Sequence, residues 1–296
     1  MTDHGDSHHG GDHGHAAPAP PPPPASKPGA VLIGCLVVLF GELIILWQSG
    51  VFAKIPGIQP EAISSYAADV DGLFYLILGI TGFFFLLTEG LLLYFLYRYR
   101  AKPGEKARHT HGNHTLELVW TIVPGVILFA LAVIQTGVWG DIKFQGNMPA
   151  EKDSVVVQVI GKQFEWHFRY AGKDGVFGTN DDVTKLKDLR VPLGKNVIVK
   201  LRTMDVLHSF WLPNVRLKQD LLSGQTIRQW FKCIKTGTYE VVCAELCGLN
   251  HTSMKGALLV LPQEEFDAWL ASRAAELAED GGHVAASDPI WKHWKD

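Results

Sequence analysis

Three long apolar runs constrain this chain more than any other feature: Ala30–Trp47, Leu73–Tyr97 and Leu118–Trp139. A helix rises about 1.5 Å per residue, so each run is about long enough to cross a hydrocarbon core roughly 30 Å thick. Lipid offers no partner to backbone N–H and C=O groups, so runs of this kind are expected as helices. Residues 30–140 therefore read as three transmembrane helices. Charge between them sets the orientation. Arg98, Arg100, Lys102, Lys106 and Arg108 face only Glu105 in one loop, whereas Gln48–Gly72 has Lys54 as its basic residue. Basic loops stay inside. Residues 140–296 are then outside, and the N-terminal tail is cytoplasmic.

Residues 1–29 alternate His4, His8, His9, His13 and His15 with Gly and Asp, then turn Pro-rich. Such a tail cannot bury a core and reads as disordered. Its histidines could hold a metal loosely, although no fixed ligand spacing is present. The acidic, His-rich start lacks the basic region of a secretory signal, so the first run reads as a retained helix. Glu42 and Glu89 lie inside apolar runs, where charge is costly. They read as protonated or paired groups at helix contacts. A net charge of −3 gives no reason to expect nucleic-acid binding.

After Trp139 the pattern changes to period two. Ser154–Ile160, Phe164–Tyr170, Val197–Arg202, Thr226–Phe231, Thr238–Val242 and Gly256–Leu261 read as strands separated by turn residues. Short, regularly spaced strands predict an all-β sandwich or small barrel. The expected organisation is a membrane-anchored mixed chain. Residues 141–263 form the β-domain, and 264–296 form a C-terminal helix and tail. The helix is expected over Gln263–Ala278, and Trp291 and Trp294 follow it.

Four cysteines are too few for a disulfide scaffold in 296 residues. Cys35 and Cys233 read as packing residues. Cys243 and Cys247 need a different account, because His251 and Met254 follow within twelve residues of Cys243. Thiolate and thioether ligands favour copper or zinc, and the Met tilts the choice to copper. His208, in Asp205-Val-Leu-His-Ser-Phe210, offers a second imidazole from another loop. Two thiolates allow both sulfurs to bridge two metals. A Cys243–Cys247 disulfide or a zinc site are the competing readings, and each leaves ligands unexplained. In the hairpin 173–182, Asp174, Asn180, Asp181 and Asp182 could offer oxygens to Ca²⁺, although a solvated acidic turn is the plainer reading.

Several motifs together carry a family resemblance. They are Cys-x3-Cys-x3-His-x2-Met at 243–254, Asp-Val-Leu-His-Ser at 205–209, Arg-Leu-Lys-Gln-Asp at 216–220, and Leu116-Glu-Leu-Val-Trp-Thr-Ile-Val-Pro124. From about Leu73 to Pro262 the chain resembles subunit II of haem–copper cytochrome c oxidases. The resemblance implies a cupredoxin-like sandwich with a dinuclear copper A centre. Its ligands would be His208, Cys243, Glu245 through its carbonyl, Cys247, His251 and Met254. The Glu245 carboxylate would bind Mg²⁺ at the interface with oxidase subunit I. Glu117 would sit at the inner mouth of a proton-uptake channel, near His109, His111 and His114. Without the resemblance, Glu117 also reads as an ordinary Glu favoured at a helix N-terminus. Asp205 and Asp220 resemble acidic positions at the docking face and near subunit I. The implied partners are subunit I, other oxidase subunits, a cytochrome c donor and membrane lipid. The implied location is a bacterial inner membrane, with the copper domain on the periplasmic side.

The sequence departs from this pattern in places. Where the family has a Trp as the point at which electrons come in, Gly161-Lys-Gln-Phe-Glu-Trp166 has Phe164. Phe164 and Trp166 are the candidates for that role here. This variant resembles oxidases that work beside alternative complex III. The first apolar run and the His-rich tail also exceed a two-helix pattern. The tail suggests a second function class, a copper carrier or sensor, which would keep an exchangeable site. Quinol-oxidase subunits share the fold and lack the copper ligands. Nitrous oxide reductase carries the same centre with a large propeller domain.

Overall fold

The computed structural model describes residues 59–107, 109, 111–279, 289–291 and 294. The expected helix Ala30–Trp47 and the 1–29 tail lie outside the described residues. Two helices come first, α1 (Ala67–Arg98) and α2 (His114–Lys143). They contain the runs expected at 73–97 and 118–139. Among the described residues, these two are long and apolar enough to cross a membrane. Their apolar side chains point outward: Phe83, Leu86, Leu128 and Phe129 are all exposed. In water such surface would be unfavourable, and in lipid it is matched. The hydroxyls of Thr81, Thr88, Thr121 and Thr136 donate to carbonyls four residues back, at 2.7–2.9 Å. These polar groups are thus satisfied within their own helix.

Ten strands follow: β1 (Ser154–Lys162), β2 (Glu165–Tyr170), β3 (Val183–Leu186), β4 (Asp188–Pro192), β5 (Asn196–Thr203), β6 (His208–Leu212), β7 (Leu217–Leu221), β8 (Ile227–Lys232), β9 (Gly237–Cys243) and β10 (Lys255–Leu261). They form two five-stranded sheets in the orders β3-β2-β1-β5-β8 and β4-β10-β9-β6-β7. The pairs β1–β5 and β4–β10 are parallel, and the other pairs are antiparallel. Trp166, Phe168, Tyr170, Phe210, Leu212 and Phe231 fill the space between the sheets. Each such side chain stabilises the sandwich by about 1.5–3 kcal/mol through burial. The C-terminal helix α3 (Gln263–Glu279) lays Phe266 and Trp269 against Tyr170.

The six strands read from alternation all form. Four others were not read: β3, β4, β6 and β7. They are short, and β3 and β4 are separated by one residue, Lys187, whose φ of 60° turns the chain from one sheet to the other.

The helices are tied to the sandwich by side chains on both sides. Arg216 donates to both Asp71 carboxylate oxygens of α1, at 2.7 and 2.9 Å, and to the carbonyls of Pro60 and Pro213. The backbone N–H of Ser65 donates to Lys232 O, extending the edge of β8. At the end of α2, Lys143 Nζ donates to Gln229 Oε1 at 2.9 Å and Lys218 O at 3.1 Å. Replacing Arg216 by Ala leaves Asp71 without its partner in a half-buried place. The expected loss is about 1–3 kcal/mol, the range for removing one partner of a polar group held out of water. Thermal melting of the full chain in detergent checks it, and Arg216→Lys is expected to restore little, since Lys cannot make the forked contact.

Candidate metal centre

The centre lies where two loops meet. One precedes β6 and ends at His208; the other runs from β9 to β10 and carries Cys243 through Met254. Strand pairing of Phe210 with Cys243 brings them together, and Ala244 N–H donates to Ser209 O at 3.0 Å. Cys243 Sγ and Cys247 Sγ are 3.8 Å apart. That is far beyond the roughly 2.05 Å of a disulfide, so both thiols are free here. His208 Nδ1 lies 3.8 Å from Cys243 Sγ, and His251 Nδ1 lies 3.6 Å from Cys247 Sγ. Met254 Sδ stands 3.7 Å from Cys247 Sγ, and the Glu245 carbonyl stands 3.3 Å from Cys243 Sγ. All six residues expected from the sequence thus converge. Each thiol has its own imidazole and its own weaker donor atom beside it.

The pair is buried, and His208 and Met254 have no exposed surface. Burial alone disfavours the imidazolium of His208, but hydrogen bonds to Cys243 and Asp205 outweigh it and lift its proton affinity above the usual value. Burial works against the Cys243 thiolate as well. Hydrogen bonds from His208 and from the loop backbone win, and bring its pKa down. Cys247 moves the other way, raised by burial and by the charge on Cys243.

Behind the ligands, Asp205 Oδ1 accepts from His208 Nε2 at 2.8 Å. A proton held on Nε2 leaves the Nδ1 lone pair for a metal, which is how an outer carboxylate sets a tautomer. Trp166 is fully buried, its ring edge-on to His208 at a centroid distance of 6.1 Å. Gly161 leaves room for both: a Cβ there would lie 3.1 Å from His208 Cδ2 and Trp166 Cζ3. Phe164 is half-buried and packs on the same core. Leu246 and Leu249 are exposed on the metal loop itself.

The other candidates are placed as follows. Glu117 is in the first turn of α2, partly exposed, with Oε2 3.4 Å from His114 Nδ1. Asp220 Oδ1 accepts from Ser209 Oγ at 2.6 Å. In the 173–182 hairpin the carboxylates serve the loop. Asp174 Oδ1 accepts from Val176 N–H, Asp181 Oδ1 from Thr179 Oγ1 and Asp182 Oδ2 from Gly178 N–H. Asp182 also pairs with Arg169 at 3.7 Å. Among the described residues, the group of three His, Cys, Asp or Glu side chains whose ligand atoms lie within 4.8 Å is His208, Cys243 and Cys247. The hairpin carboxylates form no such group. Sequence reasoning missed the Asp205–His208 contact; the three-residue spacing was the available signal.

Residues 55–136 match the family described as cytochrome c oxidase subunit II, transmembrane domain, and residues 155–260 match its periplasmic domain. A Synechocystis protein named cytochrome c oxidase subunit 2 is 31% identical over 291 residues, covering 83% of each chain. This chain belongs to the cytochrome c oxidase subunit II family. Two further relatives are similar. A cytochrome c oxidase subunit 2 from Alkalihalophilus pseudofirmus is 36% identical over 189 residues, 62% of this chain and 52% of its own length. An alternative cytochrome c oxidase subunit 2 from Bradyrhizobium diazoefficiens is 34% identical over 213 residues, 64% of this chain and 75% of its own length. The match thus spans about half the length of the first of these relatives. Family membership implies membrane anchoring, a periplasmic β-domain and copper A. The donor set of two thiols, two imidazoles, a thioether and a carbonyl fits a soft metal pair.

Cys233 is the contrast to the pair. It is fully buried, and burial pushes its thiol up to about 12. The thiolate is the reactive form. In the folded, metal-free chain at neutral pH, Cys233 is expected to resist iodoacetamide until denaturant is added. Mass spectrometry of the labelled peptides checks this.

Proposed function

We propose that this chain is the electron-transfer subunit of a respiratory haem–copper oxidase. In this reading His208, Cys243, Glu245 through its carbonyl, Cys247, His251 and Met254 hold two copper ions. One observation supports it above the rest: two free thiols 3.8 Å apart, each flanked by a different imidazole Nδ1. When bound, the copper pair supplies one-electron chemistry with little change in geometry. The chain's own residues do the rest. Asp205 orients His208, and Trp166 with Gly161 fixes the imidazole plane. Burial of the sulfurs excludes water, and a filled donor set leaves no position for substrate.

Residues 141–263 are the copper domain in this proposal, on the periplasmic side of a bacterial inner membrane. Leu246 and Leu249 offer exposed apolar surface to a cytochrome c donor, with Phe164 and Trp166 nearest the path by which electrons come in. Electrons leave to haem in subunit I, where oxygen is reduced and protons are moved. Glu245 is half-buried. Its carboxylate offers one oxygen ligand for Mg²⁺, and subunit I would supply the others. Glu117 would take up protons at the inner face.

The test is isolation of the complex in mild detergent through a tag on this chain. The expected result is co-purification of a haem-bearing subunit and oxygen uptake with reduced cytochrome c. A copper-loaded chain that comes alone and is stripped quickly by a chelator would overturn the proposal in favour of a copper carrier.

A further inference from the structure

Cys243 ends a strand and is held there by pairing with Phe210. Cys247 lies beyond any strand, at the tip of the metal loop. Its direction must be set by something else, because the distance between the two sulfurs depends on it. The turn between β1 and β2 reaches this tip. Gln163 Nε2 donates to Cys247 O at 2.5 Å. The same residue's backbone N–H donates to Asp205 Oδ2 at 2.8 Å. Asp205, through its other oxygen, holds His208. One residue therefore touches the supports of both ligand loops.

The approach is close enough to need a glycine. A Cβ at Gly248 would lie 2.9 Å from Gln163 Nε2 and 3.1 Å from the Phe164 ring. Gly248 also has a φ of 136°, in the region that favours glycine. Metal loop and turn are thus fitted to one another at this point.

We propose that Gln163 is a positioning residue for the metal centre. It fixes the Cys247 peptide by its side-chain amide and the His208 support by its backbone, and so holds the two halves of the site in register. The proposal rests on the two-copper reading. It assigns to Gln163 a role beyond filling space, which a residue of equal length without a donor would not fulfil.

Gln163→Met in the full chain separates the two roles. It keeps the backbone N–H, and hence Asp205, and removes only the side-chain donor. The expected result is a near-unchanged melting transition, with copper affinity against a competing chelator lowered by about 10–100-fold, as for other outer partners of a metal ligand. The electron paramagnetic resonance pattern should lose its equal sharing between two nuclei. Gln163→Glu, equal in length and without an N–H donor, should do the same. A variant with wild-type copper retention and a wild-type pattern, whether or not it melts earlier, would overturn the proposal alone. A wild-type chain without a two-copper pattern would overturn the underlying reading, and this proposal with it.

Discussion

Cys247→Ser is expected to abolish the two-metal centre. The serine oxygen is a poor ligand for a soft metal, so the second sulfur bridge between the two ions is lost. Cys247 also stands beside both His251 and Met254, at 3.6 and 3.7 Å, so one half of the donor set loses its central atom. Electron transfer from reduced cytochrome c should fall by more than the about 10–100-fold typical of losing an outer partner. Rapid-mixing measurement on the complex reads this directly. Copper content should drop by half or more, while the melting of the sandwich changes much less. Cys247 belongs to the buried core, and serine is close to it in size, so most of the packing around it is kept.

Trp166→Ala is expected to have the largest effect on stability. Trp166 has no exposed surface and meets Phe210 edge-on at 5.4 Å, besides its contact with His208. Emptying such a site costs about 3–5 kcal/mol, through lost burial and the cavity left behind. Denaturation of the full chain in detergent measures it. The same cavity would free the His208 ring, so copper retention should weaken as well. Trp166→Phe keeps an aromatic ring there and should recover most of both. Unchanged copper retention in the destabilised Trp166→Ala chain would show that Trp166 supports the fold alone.

The features legible in the sequence are those that depend on local pattern. The runs at 73–97 and 118–139 sit inside α1 and α2, and the alternating segments became strands. The metal loop was legible because Cys243, Cys247, His251 and Met254 lie within one short segment. What escaped depends on contacts between distant residues. β6 runs Phe210-Trp211-Leu212 without a polar break, and β7 puts Lys218, Gln219 and Asp220 between Leu217 and Leu221, so neither alternates; they form by pairing with β9 and with each other. Asp205 was legible only as resembling an acidic position at the docking face or near subunit I; its carboxylate also accepts from His208, Gln163 and Val206. The acidic hairpin left a Ca²⁺ loop and an ordinary acidic turn both open, with the turn the plainer reading; its carboxylates hold the turn and Arg169. No spacing rule distinguishes an oxygen facing a cation from one facing its own backbone. The contact of Gln163 with Cys247 spans 84 residues and has no local signature at all.

The central claim is that Cys243 and Cys247 together hold two copper ions. Electron paramagnetic resonance of the full, copper-loaded chain, with copper counted per chain, tests it most directly. Two equivalent nuclei sharing one unpaired electron give a seven-line hyperfine pattern, and the account predicts that pattern with two copper ions per chain. A four-line pattern with one copper per chain would contradict it.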